Sequence, residues 1–352
     1  MPDYSKLRKT NNDTNDQLKH KKRVLQNIQH LRTQLDDVPQ SKLNYNLLIA
    51  TWNIREFDSP KYGDRIEEAN YYIAEIIERF DVVAIQEVHR NLEGLNRVLN
   101  LMGSHWKYIV SDTNEGSPGN DERIAFVYNS RKIEFGGLAG ELVIPPKEEK
   151  IKVNGKNKTI YKPVNQLWRT PLIGGFKAGW AKFMLCSVHI QWGESELSRK
   201  EEIDYLAEFL KKRTEDPASW ARKLILIGDF NIEKVSSPHY KMLDEAGYRS
   251  HPAHDKITTT TSNKKAQYDR MFIRERDEGF KVLSGGTIEL FKHLFTDADE
   301  QTYKPFMKLQ SGVAAKNYND WRTYQLSDHQ PLWMEFRIEY DDEFLTKISN
   351  EF

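Results

Sequence analysis

The chain has 352 residues, 38% of them hydrophobic and 30% charged, with 52 basic side chains against 52 acidic ones. That composition is ordinary for a soluble globular protein with one large core, and a formal charge of zero excludes a binder driven by net charge, so any nucleic-acid contact must come from local patches. A single cysteine, Cys186, excludes an intramolecular disulfide framework and any zinc-finger or Cys-X-X-Cys redox chemistry.

Residues 1–17 are polar and rich in Asn, Asp and Lys, and are expected to be unstructured. They lack the apolar core of a signal peptide, and no run approaches the ~18 apolar residues of a membrane span. A cytoplasmic setting without a membrane span is therefore expected. From Gln17 to Leu35, apolar residues recur at helical intervals, which predicts one amphipathic helix docked on the main body. Residues 1–45 thus read as a tail with one helix, and 46–352 as the main domain. Apolar runs at Leu47–Ala50 and Asp81–Ile85 predict strands bracketing a helix over Ile66–Phe80. Further strands are expected at Ile124–Tyr128, Phe183–Ile190, Leu224–Ile227, Tyr268–Ile273 and Leu332–Ile338, with a helix over Leu197–Lys212. Pro145–Pro163 and Thr296–Tyr324 read as long loops. Strands mixed with a few helices, without strict βαβ repetition, indicate a layered α/β or α+β sandwich rather than a doubly wound sheet. Cys186 falls inside a predicted strand and reads as a small buried hydrophobe.

Polar residues collect at the ends of these strands: Asn53, Glu87, His189, Asp229 with Asn231, Asp269, and the pair Asp328-His329. Each has an ordinary structural reading, as a turn cap, a surface ion pair or a core histidine. Their joint placement is harder to explain that way, because desolvating such groups costs several kcal/mol unless they are paired or bound to a cation. Oxygen donors with a carboxylate majority suit Mg²⁺ or Mn²⁺ better than zinc, and two histidines offer acid–base groups near neutral pH.

The segments Thr51-Trp52-Asn53, Gln86-Glu87-Val88, Arg169-Thr170-Pro171, Val188-His189, Gly228-Asp229-Phe230-Asn231, Tyr268-Asp269-Arg270 and Ser327-Asp328-His329 occur in this order. Together they resemble the endonuclease/exonuclease/phosphatase superfamily, and its deoxyribonuclease I-like branch most closely, over about residues 46–340. Asn120-Asp121-Glu122-Arg123 is similar to the same branch. The resemblance implies a four-layer α/β/β/α sandwich of two packed mixed sheets flanked by helices, with the site at one end. It implies Glu87 as the principal metal ligand, with Asn53 and Asp328 close to an Mg²⁺ or Mn²⁺ ion. It pairs Glu122 with His189 and Asp269 with His329 on either side of a scissile phosphate. Asp229 and Asn231 would then handle the attacking water, and Arg169 would contact phosphate. The chain carries His89-Arg90 after Val88, where the secreted enzymes have Arg at once, so Arg90 is the candidate for their groove contact.

The reading these residues favour is a divalent-metal-dependent nuclease, an endonuclease in its family context, that hydrolyses DNA, duplex DNA first and RNA second. The alternative keeps the chemistry and changes the substrate to a lipid head group, nucleotide or protein–DNA adduct. A non-catalytic scaffold would predict gaps among the polar positions, and there are none. Six lysines against two acids between Lys147 and Lys162 supply a local basic patch.

Overall fold

Apolar side chains sort into three stacked layers in the computed structural model, which describes all residues except 58, 116–119, 165, 193–195, 262–265, 275–279 and 308–314. The chain opens with α1 (Asn15–Leu35), β1 (Asn46–Phe57), α2 (Glu67–Glu78), β2 (Val82–His89) and α3 (Glu93–Met102). Next come β3 (Trp106–Val110), β4 (Glu122–Asn129), β5 (Glu134–Glu141), β6 (Lys147–Val153), β7 (Lys156–Lys162), β8 (Leu172–Ala178) and β9 (Ala181–His189). They are followed by α4 (Glu196–Glu215), β10 (Leu224–Asp229), α5 (Pro238–Glu245), β11 (Asp269–Arg274) and β12 (Lys281–Thr287). A short α6 (Glu300–Tyr303), α7 (Tyr318–Gln325), β13 (Leu332–Arg337) and α8 (Asp341–Ser349) complete the chain.

Among the described residues the strands form a mixed sheet in the order β12-β13-β1-β2-β4-β3, a second mixed sheet in the order β11-β10-β9-β8-β5, and a separate hairpin β6-β7. Period-two patterning explains how the sheets stack. Along β1, Leu47 and Ile49 face the interior between the sheets, while Leu48, Ala50, Trp52 and Ile54 face the helices. Along β9, Phe183 and Leu185 face the first sheet, whereas Met184, Cys186 and Val188 pack toward α4. Helices α1, α2 and α3 cover one outer face and α4 and α5 the other, which makes four layers. Cys186 is fully buried there, and burial pushes its thiol up to about 12.

Gln86 and Ser187 tie the sheets together at one end. The Gln86 Nε2 donates to Ser187 Oγ at 2.9 Å, and its Oε1 accepts from Thr51 Oγ1 at 3.2 Å. A polar contact in this position is fully buried and fully partnered.

Several expectations need correction. Residues 1–17 are ordered: Ser5–Leu7 form a 3₁₀ turn, Leu7 joins the core, and the Asp3 amide donates to Leu101 O at 2.6 Å. Thr14 then starts α1 through a reciprocal capping box with Gln17. Val24, Ile28, Leu31 and Leu35 are buried against α2, so the predicted docking helix is part of the outer layer. Arg32 grips Glu75 with two contacts at 2.8 and 2.9 Å, and Arg23 and His20 both reach Glu68. Pro145–Pro163 is a hairpin rather than a loop, closed by Asn154-Gly155, both at positive φ. Thr296–Tyr324 carries α6, 3₁₀ turns and most of α7, with residues 308–314 outside the described set.

Candidate active site

Strand register assembles the polar end of the second sheet. Strands β9 and β10 run parallel with His189 opposite Asp229, and β11 runs antiparallel with Asp269 on the other flank of Asp229. His189, Asp229 and Asp269 therefore form one row across three neighbouring strands. Gly228 makes the close pairing possible: its φ is +132°, and a Cβ there would run into the Val188 carbonyl.

The first sheet contributes from the facing side. The parallel ladder of β1 and β2 pairs Asn53 with Gln86 and is then interrupted, and the β2–β4 ladder is interrupted between Ile85 and Val88. Glu87 sits in that irregularity at φ +60°, which re-aims its side chain. Its Oε1 accepts from Asn53 Nδ2 at 2.9 Å and its Oε2 from the Glu56 amide at 2.8 Å. Ser327 Oγ, fully buried, donates to Asn53 O at 2.6 Å and accepts from the His329 amide at 3.0 Å, holding the final loop against β1. Sequence reasoning passed over Ser327, Gln86 and Ser187 as builders of the site. Each lies within two residues of a candidate side chain, and that adjacency was the available signal.

Two carboxylate–imidazole pairs result. His189 Nδ1 lies 3.0 Å from Glu122 Oε2, and His329 Nδ1 lies 2.8 Å from Asp269 Oδ2. Asp229 Oδ2 stands between them, 3.7 Å from His189 Nε2, 3.9 Å from His329 Nε2 and 3.2 Å from Asn53 Nδ2. The other oxygen of Asp229 accepts from the Asn231 amide at 2.9 Å, and Asn231 Nδ2 donates to Ile190 O at 2.7 Å. Arg169 Nε is 2.7 Å from Glu122 Oε2, the same oxygen that His189 Nδ1 approaches.

Charge follows from these contacts. Burial raises the Glu122 pKa, but His189, Arg169 and Asn120 outweigh it and hold the carboxyl down to about 2. Burial lowers the His329 pKa, yet the carboxylates of Asp269, Asp229 and Asp328 raise it well above the usual imidazole value. His189 moves in the same direction against burial, chiefly through Glu122. Glu87 is raised by burial and by the neighbouring Glu122 and Asp328 charges.

The donor set fits a hard divalent cation. Asn53 Oδ1 is buried with no hydrogen-bond partner among the described residues, and Glu87 lies beside it under a like-charge load that a cation relieves. Among the described His, Cys, Asp and Glu side chains, the ligand atoms lying within 4.8 Å of one another belong to Glu87, Glu122 and His189. Asp328, expected as a third ligand, is outside that group and acts on Glu87 and His329 through its charge. Arg90 is not gathered into the site: its exposed guanidinium pairs with Glu115 at 2.9 Å and Asp121 at 3.7 Å. In its place His89 turns inward, its Nε2 3.0 Å from Glu56 Oε2.

No family model matches the chain. A curated protein named "Deoxyribonuclease" from Thioalkalivibrio sp. (strain K90mix) is 25% identical over 233 residues, 64% of this chain; the match spans 56% of that relative's length. An endonuclease/exonuclease/phosphatase family protein from Bacteroides thetaiotaomicron superposes with a TM-score of 0.54 at 16% identity, covering 84% of this chain and 99% of the other. The human Nocturnin catalytic domain with bound sulfate gives 0.54 at 14% identity, covering 83% and 94%. A mannosyl-6-phosphatase from Bacteroides thetaiotaomicron gives 0.51 at 17% identity, covering 82% and 99%. The chain shares with these structures one arrangement of paired sheets and outer helices, and its fold is the DNase I-like fold that they display.

Proposed function

We propose that the chain is a divalent-metal-dependent phosphodiesterase that cleaves nucleic acid, with DNA as the first substrate and Mg²⁺ or Mn²⁺ as the ion. The observation that carries this reading is Asp229 Oδ2 between two imidazoles, each backed by its own carboxylate, with Glu87 and Asn53 Oδ1, which has no hydrogen-bond partner among the described residues, alongside. Glu87 and Asn53 would hold the ion, with Asp328 and the Glu122–His189 pair within its field. A bound cation neutralises charge on the nonbridging phosphate oxygens. Asp229, fixed by the Asn231 amide, orients a water in line with the phosphorus and accepts its proton. His329, kept protonated by Asp269, hydrogen-bonds the phosphate and stabilises the pentacoordinate charge; on the opposite side His189, oriented by Glu122, gives its proton to the leaving oxygen as the P–O bond to it breaks. Arg169 neutralises Glu122 and offers its remaining N–H groups toward phosphate.

Polymer binding finds support in the hairpin β6-β7. Its lysines project from strands that pair only with each other among the described residues, and the chain runs from it directly to Arg169. Incubating the purified protein with supercoiled plasmid, linear duplex, single strands and RNA, with and without Mg²⁺, tests the reading. Mg²⁺-dependent cleavage that Glu87→Gln slows steeply, with a raised Mg²⁺ requirement, is the expected result. Hydrolysis at full rate in excess chelator would overturn it.

A further inference from the structure

A cavity of about 760 Å³ lies beside the catalytic row, between the root of the hairpin β6-β7 and helix α4. Its walls are tied to the site through the backbone. Trp168 precedes Arg169, Gln191 follows His189 by two residues, and the Glu202 carboxylate joins the two segments: Oε1 accepts from the Trp168 amide at 2.8 Å and Oε2 from the Gln191 amide at 3.3 Å. The cavity lining thus lies one residue along the chain from Arg169 and two from His189.

The lining has the character of a planar-group receptor. Trp168 is 48% exposed although it neighbours the buried Leu167. Pro145, Pro163 and Val164 supply apolar wall, and Gln166 clamps Ile144 through both its backbone groups, at 2.8 and 3.1 Å. Gln191 Oε1 and Tyr205 Oη lack hydrogen-bond partners among the described residues, although Gln191 is only 4% exposed. Buried polar atoms without partners are costly, and a ligand carrying N–H groups relieves the cost. Both Glu202 oxygens are taken by those backbone amides, which leaves Gln191 Oε1 and Tyr205 Oη to meet a ligand, and Lys147 lines the same cavity.

We infer that this cavity binds an unpaired nucleobase of the nucleotide flanking the scissile phosphate, stacked on Trp168 with its polar edge toward Gln191. The inference rests on the nuclease reading for the identity of the ligand. An aromatic platform with amide acceptors behind it matches a base edge, and the lysine in the lining matches the attached phosphate. A paired base cannot enter, so the site favours single-stranded or frayed substrate.

Affinity for short single-stranded oligonucleotides, measured by fluorescence anisotropy in chelator, tests this separately from turnover. An abasic residue is walked along the strand. For the wild type, one flanking position should weaken binding about tenfold, the order expected for loss of one stacked base. Trp168→Ala should bind the intact strand as weakly as the wild type binds the abasic one, and should be indifferent to the abasic walk; Trp168→Phe should restore the position effect. Equal losses for wild type and Trp168→Ala at every position, or a wild type indifferent to all of them, would overturn the base site. Absence of Mg²⁺-dependent cleavage would instead remove the nuclease reading and leave this binding measurement standing.

Discussion

His189 and His329 are nearly equivalent in surroundings, each carrying a carboxylate on Nδ1 and turning Nε2 toward Asp229. Replacing either by Ala should therefore cost a comparable factor, about 10²–10⁴ in turnover, with the circular dichroism unchanged. Near-normal turnover in both variants would show them to be structural. Gly228 tests the scaffold behind them. Gly228→Ala places a methyl group against the Val188 carbonyl at a φ that L-residues avoid, so β9 and β10 must separate where His189 and Asp229 lie abreast. A loss of several kcal/mol in denaturant unfolding is expected, together with a fall in turnover of the remaining folded protein. The residues of this row were legible in the sequence because Asp, Asn and His are conspicuous at the end of an apolar run. Ser327, Gln86 and Ser187 were not, since a buried hydroxyl or amide looks like any surface polar residue until its partner, distant in sequence, is known.

At the scale of elements, the strands built on apolar runs announced themselves, the edge strand β11 among them, whereas β3, β5, β8 and β12 did not. β1, β2, β9, β10 and β13 are apolar runs covered on both faces, whereas β5 (Glu134–Glu141) and β12 (Lys281–Thr287) are glycine-containing edge strands with little apolar content. The hairpin β6-β7 hid for another reason: its alternation is of lysine with polar and aliphatic residues, and no core supports it. If it tracks a nucleic-acid backbone, replacing Lys152, Lys156 and Lys158 by Ala should flatten the salt dependence of log K on duplex DNA by about two to three units. An unaltered slope removes the hairpin from the binding surface. The 3₁₀ segment Pro252–Lys256 offers a pH test away from the site. Its His254 is buried with Nε2 2.9 Å from Trp333 O, and burial pushes its pKa down to about 4. Unfolded, the same ring titrates near its ordinary value of about 6.5, so between about pH 6.5 and 4 the unfolded chain binds a proton that the folded chain refuses. Stability is complete above that window and falls by up to roughly 3 kcal/mol as the pH drops through it. Urea midpoints of wild type and His254→Gln should converge toward acid; parallel pH profiles would count against this assignment.

For the molecule as a whole, the leader is an outer layer of the sandwich and not an appendage. Leu7, Val24, Ile28, Leu31, Leu35 and Val38 are all buried in the layer they share with α2. Each is worth about 1.5–3 kcal/mol, a sum comparable with the ~5–15 kcal/mol that typically holds a domain together. A chain starting at Lys42 should therefore melt far below the full protein, while any folded fraction keeps its rate per active site, since no candidate side chain lies in the leader. Thermal melts combined with active-site titration check both halves; a well-folded truncation without catalysis would mean that α1 helps to complete the site. The Gln86–Ser187 hydrogen bond has a wider consequence. Glu87, Asn53 and Glu122 ride on one sheet, while His189, Asp229 and Asp269 ride on the other, so the spacing of the catalytic groups is the spacing of the sandwich. On the proposed reading, turnover is a strain gauge for the gap between the sheets: a slight dilation by mild denaturant, or by swelling of the central apolar layer, should extinguish catalysis while the helices and strands still stand.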